Sequence, residues 1–175
     1  FFLVVLVLVV PGVLTLTPSF VLADRLGLRN SLIGLTLFYI GGGQVFAIFL
    51  LRSFFQSQPE ELFEAARLDG ASELRIIWSI AVPLARPILV TLAIMNFLAI
   101  YNDLVWPLLM LPSPDKHTLT IALQQFTPPN PQLPSRPDLG VITAGYVVAS
   151  LPILGVFLFG MRYYIEGLTS GSVKV

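Results

Sequence analysis

Residues 30–51 read NSLIGLTLFYIGGGQVFAIFLL, an apolar run that contains no charged side chain. A helix of roughly 20 apolar residues crosses the hydrocarbon core of a bilayer. Comparable runs cover residues 1–20, 88–111 and 139–161. Backbone groups in lipid must pair within the protein, so each run must be a helix or a strand of a closed barrel. Barrel strands alternate apolar and polar residues, and these runs do not. The sequence therefore predicts an all-α fold, a polytopic transmembrane helical bundle with four spans.

The composition agrees with a membrane protein and excludes several other classes. Charged residues make up 11% of the chain and hydrophobic residues 55%, whereas soluble domains usually carry about 25% charged residues. The net charge is zero, so no basic surface predicts binding to nucleic acid. The chain has no cysteine, which excludes disulfides, thiol nucleophiles and cysteine-ligated metals. No catalytic residue and no metal site is therefore singled out at this stage.

A hydrophilic loop at residues 52–86 separates the second and third runs and carries its own helix signals. Residues 57–60, Ser-Gln-Pro-Glu, have the form of a capping box with proline in the first helical turn. Gly70 stands where a helix would end, Ser72 can cap a second helix, and Pro83 is expected to end that helix. The loop is therefore predicted to form two short helices around a glycine, outside the bilayer.

The distribution of positive charge predicts which side of the membrane each loop faces. Residues 112–138 are rich in proline and are interpreted as an extended outer loop with little helix, and residues 162–175 form a short tail. If the 52–86 loop and the tail are cytoplasmic, the positive-inside rule is obeyed by a narrow margin. Six basic residues then lie inside and four outside: Arg52, Arg67, Arg75, Arg86, Arg162 and Lys174, against Arg25, Arg29, Lys116 and Arg136.

Within this loop, a spaced pattern points to one family. Glu64-Ala65-Ala66 is followed after three residues by Gly70, and after nine more by Ile80 and Val82-Pro83. The pattern resembles the EAA loop of ATP-binding-cassette importer permeases, which docks on a separate ATPase, and Val82 in place of leucine is the one departure. Small alanines suit close packing in a groove, and glycine suits a sharp turn between helices. The resemblance implies these ATPase-coupling residues: Glu64, Ala65, Ala66, Leu68, Asp69, Gly70, Ile80 and Pro83.

The resemblance extends over essentially the whole chain and narrows to carbohydrate importers. Tyr101-Asn102-Asp103, Trp106-Pro107-Leu108 and the tail segment 167–171 are similar to segments of those permeases, in particular of the short-tailed maltose-type subunit. Such permeases have six core spans, so the resemblance implies that this chain holds the last four and is truncated at its N-terminus. It also implies a single transmembrane permease domain over residues 1–175 in the cytoplasmic (inner) membrane of a prokaryote, with the coupling loop in the cytoplasm.

The function implied by the resemblance is that of a non-catalytic transport subunit. The chain would form half of the translocation pathway of an ATP-driven, binding-protein-dependent sugar importer. Its partners would be an ATP-binding-cassette ATPase dimer, a second permease subunit, an extracytoplasmic solute-binding protein and the lipid bilayer. ATP and magnesium would bind the ATPase, because residues 41–44, Gly-Gly-Gly-Gln, lack the Gly-Lys-Ser/Thr ending of a phosphate-binding loop. No cofactor is expected on this chain itself.

Polar residues in the third apolar run have two interpretations. Asn96, Asn102 and Asp103 could line the path of a sugar, whose hydroxyl groups need hydrogen-bonding partners. An acid in mid-helix costs about 2.5–3.5 kcal/mol in a bilayer, so Asp103 should face protein or water. Alternatively, Asp103 caps or braces a helix that Pro107 kinks.

Other functions stay open on the sequence alone. An ion-coupled secondary carrier would use Asp103 as a proton or sodium relay and would need no ATPase. A structural scaffold would show no solute-dependent ATP hydrolysis. An importer permease of the same class could carry a non-sugar solute. The helix that ends at Gly70 could also be an amphipathic interfacial helix in which the alanines occur by chance.

Overall fold

A computed structural model describes the backbone of residues 1–126 and 139–170, and their side chains except at 125–126 and 162–170. Throughout these ranges the regular structure is helical, which confirms the predicted all-α fold. The helices are α1 (Phe2–Val9), α2 (Gly12–Arg25), α3 (Leu32–Gln56), α4 (Glu61–Leu68), α5 (Glu73–Leu84), α6 (Arg86–Asn102), α7 (Val105–Met110), α8 (Leu119–Phe126) and α9 (Leu139–Ser170).

Two helices of the described residues are each long and apolar enough to cross a membrane: α3 and the 139–161 part of α9. α3 begins where the Ser31 hydroxyl accepts a hydrogen bond from the Gly34 amide at 3.3 Å. Both helices correspond to predicted spans and run past the predicted ends. The tail predicted after residue 161 is a helical extension as far as Ser170, and residues 171–175 lie outside the described residues.

The first apolar run, predicted as one span over residues 1–20, is divided into α1 and α2. The two helices meet at 98° across Val10 and Pro11. Pro11 has no amide hydrogen to continue the helix, and the residue before a proline is driven toward extended backbone, as Val10 is (φ −71°, ψ 119°). The pair is still apolar enough to count as one broken span.

The third apolar run, predicted as one helix over residues 88–111, is also interrupted. α6 ends at Asn102, Asp103 is extended (φ −69°, ψ 130°), and α7 begins at Val105. Asp103 therefore does not lie in mid-helix, and the cost expected for that position does not apply. At its other end, α6 meets α5 at 71°, and this pair also passes as one broken span. The described residues thus hold up to four candidate spans if each bent pair counts as one.

The segment predicted as an extended outer loop contains helix. A 3-10 turn at Pro114–Lys116 leads into α8, whose residues include no proline that would interrupt a helix. The prediction of little helix is therefore wrong for the first part of residues 112–138. The proline-rich part, residues 127–138, lies outside the described residues.

Asn30 fastens the α2–α3 turn to the segment after α7. Asn30 has a left-handed backbone (φ 53°), and its amide donates to the carbonyl of Met110 at 2.7 Å. Its side-chain Nδ2 donates to the Ser113 hydroxyl at 2.7 Å, and the Lys116 ammonium donates to its carbonyl at 2.8 Å. These bonds hold one end of α3 against α7.

The buried core of the described residues is small, whereas much apolar surface is exposed. The core joins α2, α3 and α7 through Ala23, Leu35, Trp106, Met110 and Leu111. Large apolar side chains of α1, α3 and α9 are mostly exposed, for example Phe2, Ile33 and Phe159. Soluble monomers rarely expose contiguous apolar surface of this extent, so these faces suit lipid or neighbouring membrane helices.

Candidate functional site

The two-helix loop predicted between the second and third runs is present as α4 and α5. Asp69 lies at the C-terminal end of α4, and Gly70 follows with φ +77°, a left-handed conformation that glycine adopts without strain. The Gly70 amide donates to the carbonyl of Arg67 at 3.0 Å, and the Ala71 amide donates to that of Ala66 at 3.0 Å. Gly70 therefore ends α4 as predicted and sets the turn into α5.

The two caps predicted in this loop have different outcomes. Ser72 caps α5 as predicted, because its hydroxyl accepts a hydrogen bond from the Arg75 amide at 3.4 Å. The capping box at Ser57 is wrong: the Ser57 hydroxyl donates to the carbonyl of Phe54 at 2.7 Å, and no side chain caps α4. α3 continues to Gln56, so Ser57 interacts with the end of that helix instead.

The second helix of the loop passes through Pro83 rather than ending there, contrary to the prediction. α5 continues to Leu84 through a wide π turn at Ile77–Ala81, after which the next amide reaches the carbonyl of Ile77. The wider turn accommodates a proline, which has no amide hydrogen to donate. Ile80 and Pro83, both predicted coupling residues, are half-buried in this stretch.

Of the predicted coupling residues in and next to α4, one is buried and the others are exposed. Ala66 is buried, with 8% of its surface exposed, whereas Leu68 is 88% exposed. Glu64, Ala65 and Asp69 are also exposed. The accessible surface of α4 therefore presents acidic groups beside a protruding leucine, and Ala66 lies on the covered side.

Two exposed apolar residues of α5 are not part of the EAA pattern. Leu74 is 69% exposed and Trp78 is 70% exposed. Residues four apart are neighbours on one helix face, and this spacing after Gly70 is the signal that could have identified them. Together with Leu68 they leave large apolar side chains exposed on both sides of the glycine. Large apolar side chains exposed near charged ones are common at protein interaction surfaces.

An ion pair spans the glycine turn. Arg67 Nε donates to Glu73 Oε1 at 3.0 Å and so links α4 to α5. The hydrogen bond to Glu73 and the charge of its carboxylate raise the pKa of Arg67 above its usual value, so the guanidinium stays protonated at any working pH. Both side chains are exposed, and pairs of this kind add little to folding stability.

The three polar residues predicted to line a solute path meet at one cavity between α3 and α6. The cavity has a volume of about 350 Å³. Its lining includes Asn96, Asn102 and Asp103, and, from α3, Phe38, Tyr39 and Gly43. The fold thus brings the three predicted residues together and adds two aromatic rings that the sequence did not single out.

The Asp103 carboxylate accepts three hydrogen bonds from other described residues. The Tyr39 hydroxyl donates to its Oδ2 at 2.8 Å. The amides of Val105 and Trp106 donate to its Oδ1 at 3.0 and 3.4 Å. The carboxylate therefore caps α7 and ties it to α3, which favours the capping and bracing interpretation.

The two asparagines of the cavity differ in how far their amides are paired. Asn102 Nδ2 donates to the carbonyl of Leu98 at 2.8 Å. Asn96 lies against Gly43, where an added β-carbon would be 3.2 Å from its Nδ2 and 3.3 Å from its Oδ1. Among the groups that the structure describes, with side chains at residues 1–124 and 139–161, none forms a hydrogen bond with the Asn96 side chain.

The family model described as "binding-protein-dependent transport system inner membrane component" matches residues 1–169. The chain belongs to this family. Its relatives include the maltodextrin transport system permease protein MdxG of Bacillus subtilis, 38% identical over 165 residues, which are 94% of this chain and 58% of the relative. The arabinooligosaccharides transport system permease protein AraQ of Halalkalibacterium halodurans is 36% identical over 174 residues, 99% of this chain and 60% of the relative. The osmoprotective compounds uptake permease protein GgtD of Synechocystis sp. is 36% identical over 175 residues, 99% of this chain and 57% of the relative.

The chain spans less than two thirds of the length of these curated relatives. Membership confirms the predicted resemblance to importer permeases, for which the EAA loop is typical, and agrees with the apolar helices of a membrane protein. Within the described residues, no three His, Asp or Glu side chains are grouped closely enough to hold a metal ion.

Proposed function

We propose that the chain is a transmembrane permease subunit of an ATP-driven, binding-protein-dependent sugar importer and forms half of its translocation pathway. The observation that carries the proposal is the α4–Gly70–α5 loop, which combines the EAA spacing with an exposed apolar and acidic surface. The relatives named for maltodextrin and arabinooligosaccharide transport support neutral oligosaccharides as the solute class.

The partner of this loop is a separate ATPase dimer, which binds the ATP and magnesium. Leu68 supplies the protruding apolar contact, and Glu64 and Asp69 favour a basic rim on the partner. The bonds around Gly70 and the Arg67–Glu73 pair join α4 to α5, so closure of the ATPase dimer moves the two helices as one unit. The spans then switch between inward and outward openings, whose populations follow their contacts with the ATPase and the solute.

The other partners are a second permease subunit and an extracytoplasmic solute-binding protein. The exposed apolar faces of α3 and α9 are available to the second permease and to lipid. The chain lies as a multi-pass protein in the inner membrane of a prokaryote, with the 52–86 loop in the cytoplasm. Arg52 and Arg86 near the ends of that loop fit the positive-inside rule. ATP hydrolysis belongs to the partner, and this chain carries no catalytic or cofactor role.

A second solute class is supported by one relative, which is named for the uptake of osmoprotective compounds. Stimulation of ATP hydrolysis by an osmoprotectant, and not by an oligosaccharide, would favour it. An ion-coupled carrier that uses Asp103 as a relay is less well supported, because the carboxylate already accepts three hydrogen bonds. Uptake that depends on an ion gradient and not on ATP would favour that carrier.

The first test is purification of the intact protein from its native membrane in a mild detergent, with mass spectrometry of every retained protein. We expect a P-loop ATPase and a second permease to be recovered. Isolation of this chain alone, under conditions that keep other transporter complexes together, would contradict the importer assignment.

Crosslinking in native membranes then tests the docking surface. Residues 1–175 contain no cysteine, so Leu68→Cys and Ala66→Cys each introduce one thiol into this part of the protein, at positions about half a helical turn apart. We expect Leu68→Cys to crosslink to the ATPase and Ala66→Cys to stay largely uncrosslinked, because Leu68 is exposed and Ala66 is buried. No crosslink at Leu68, or equal yields at both positions, would argue against docking by the exposed face of α4.

A further inference from the structure

We propose that the cavity between α3 and α6 is a sugar-binding subsite of the translocation path, in which the Asn96 amide binds sugar hydroxyl groups beside the Tyr39 ring. Asp103 is a positioning residue of this subsite and does not touch the sugar. The inference rests on the proposed function, because it assigns the solute contacts of the same importer.

The Asn96 amide is the group in this cavity that calls for a ligand. Its side chain is exposed, lines the cavity and makes no hydrogen bond to the rest of the described residues. Unpaired polar groups are costly at membrane depth, so this amide needs water, solute or another helix as a partner. A carboxamide offers both donors and an acceptor, which is the combination that a vicinal pair of sugar hydroxyls requires.

The remaining walls suit a neutral ring rather than a charged solute. Small-molecule sites are mostly apolar and aromatic, with a few placed polar groups, and have volumes of about 300–1,000 Å³. The cavity, at about 350 Å³, lies within this range and combines Phe38 and Tyr39 with the amides of Asn96 and Asn102. An aromatic ring can pack against the C–H face of a sugar while the amides bind its hydroxyls.

The carboxylate in the cavity, that of Asp103, is already hydrogen-bonded to other groups of the protein. Asp103 accepts hydrogen bonds from the Tyr39 hydroxyl and from the first amides of α7. These bonds hold the Tyr39 ring at the cavity wall. The contribution of Asp103 to the subsite is therefore the orientation of Tyr39.

Gly43 sets the position of Asn96. A β-carbon at Gly43 would come within 3.2–3.3 Å of both polar atoms of the amide, closer than ordinary van der Waals contact. Gly43→Ala should therefore displace the amide. Gly41 is the matched control, since a β-carbon there meets nothing within 4 Å and Gly41 does not line this cavity.

The test uses the complete transporter in proteoliposomes, with ATP inside, the solute-binding protein outside, and radiolabelled maltotriose or arabinotriose as the probe. We expect Asn96→Leu and Gly43→Ala to lower uptake about tenfold, the loss of one well-made hydrogen bond, while Gly41→Ala keeps the wild-type rate. Wild-type uptake in Asn96→Leu, in a transporter that does import either sugar with ATP, overturns the subsite and leaves the proposed function intact. Failure of the wild-type transporter to import either sugar with ATP counts instead against the proposed function.

A second measurement probes the subsite without transport. Asn96→Cys in the assembled transporter should react with a membrane-impermeant thiol reagent, and maltotriose or arabinotriose should slow the reaction. Leu158→Cys, on the exposed apolar face of α9, should stay unreactive. An inert thiol at position 96 would mean that this position is shielded from water by protein or lipid. A reactive thiol there that neither sugar protects would mean that it binds no sugar. Either result overturns the proposal.

Discussion

The Tyr39 hydroxyl donates a 2.8 Å hydrogen bond to Asp103 Oδ2, a residue 64 positions later in the chain. Tyr39 lies on α3, and Asp103 occupies the break between α6 and α7. The bond therefore joins a long membrane helix to a point where another apolar run is interrupted. It also explains how the break is tolerated, because the carboxylate supplies hydrogen-bond acceptors to the free amides of α7.

Removing either partner of this bond should destabilise the protein. We expect Tyr39→Phe to cost about 1.5–3 kcal/mol in free energy of unfolding, the range for a hydrogen bond to a charged group. Asp103→Ala should cost at least as much, because it also removes the cap of α7. The measurement is thermal or denaturant unfolding of the purified protein in detergent.

The control for this pair is Tyr146→Phe, at an exposed tyrosine of α9, which should change stability by less than Tyr39→Phe. The double variant Tyr39→Phe/Asp103→Ala should show a cost clearly below the sum of the single costs, because the residues share one bond. Additive costs would show that the two side chains act independently.

Gly70 should tolerate asparagine better than alanine. Its φ of +77° strains most L-residues, by about 1–2 kcal/mol, and asparagine enters this region more readily. If the proposed function holds, Gly70→Ala should lower the ratio of sugar imported to ATP hydrolysed in proteoliposomes, and Gly70→Asn should retain most of it. Equal coupling in both variants would mean that the left-handed turn is not needed.

Asn30 allows the backbone and side-chain contributions of one residue to be separated. Asn30→Gly keeps the left-handed backbone (φ 53°) and loses the bonds to Ser113, whereas Asn30→Ala adds backbone strain. We therefore expect Asn30→Ala to be less stable than Asn30→Gly by about 1 kcal/mol in unfolding experiments. Ser113→Ala, which removes the same side-chain bond from the other side, should resemble Asn30→Gly. If Asn30→Gly were as unstable as Asn30→Ala, backbone strain at position 30 would not explain the loss of stability.

Close contact between α6 and α9 at Gly160 can be tested by a rescue experiment. A β-carbon at Gly160 would collide with the end of the Ile94 side chain, whereas one at Gly155 meets nothing within 4 Å. We expect Gly160→Ala to cost more than Gly155→Ala, by an amount that depends on how far the terminal methyl group of Ile94 can move aside. Ile94→Val or Ile94→Ala should recover part of the loss in Gly160→Ala. Absence of rescue would place the strain elsewhere.

The sequence was sufficient for features that depend on neighbours along the chain. Uninterrupted apolar runs identify α3 and the 139–161 part of α9 as candidate spans, because a bilayer accepts little else. The end of α4 at Gly70 and the cap at Ser72 follow from the backbone preferences of glycine and serine. The EAA spacing was enough to recognise the family.

Tertiary structure decided which of these residues are covered and which side chains meet. Composition does not show that Ala66 is buried while Leu68 protrudes, or that Asp103 ends a helix instead of lying within one. The contact of Asn96 with Gly43 is equally invisible along the chain. Each of these facts depends on how helices distant in sequence approach one another. Local propensity carries no information about that approach, because packing between helices is set by side chains on both of them.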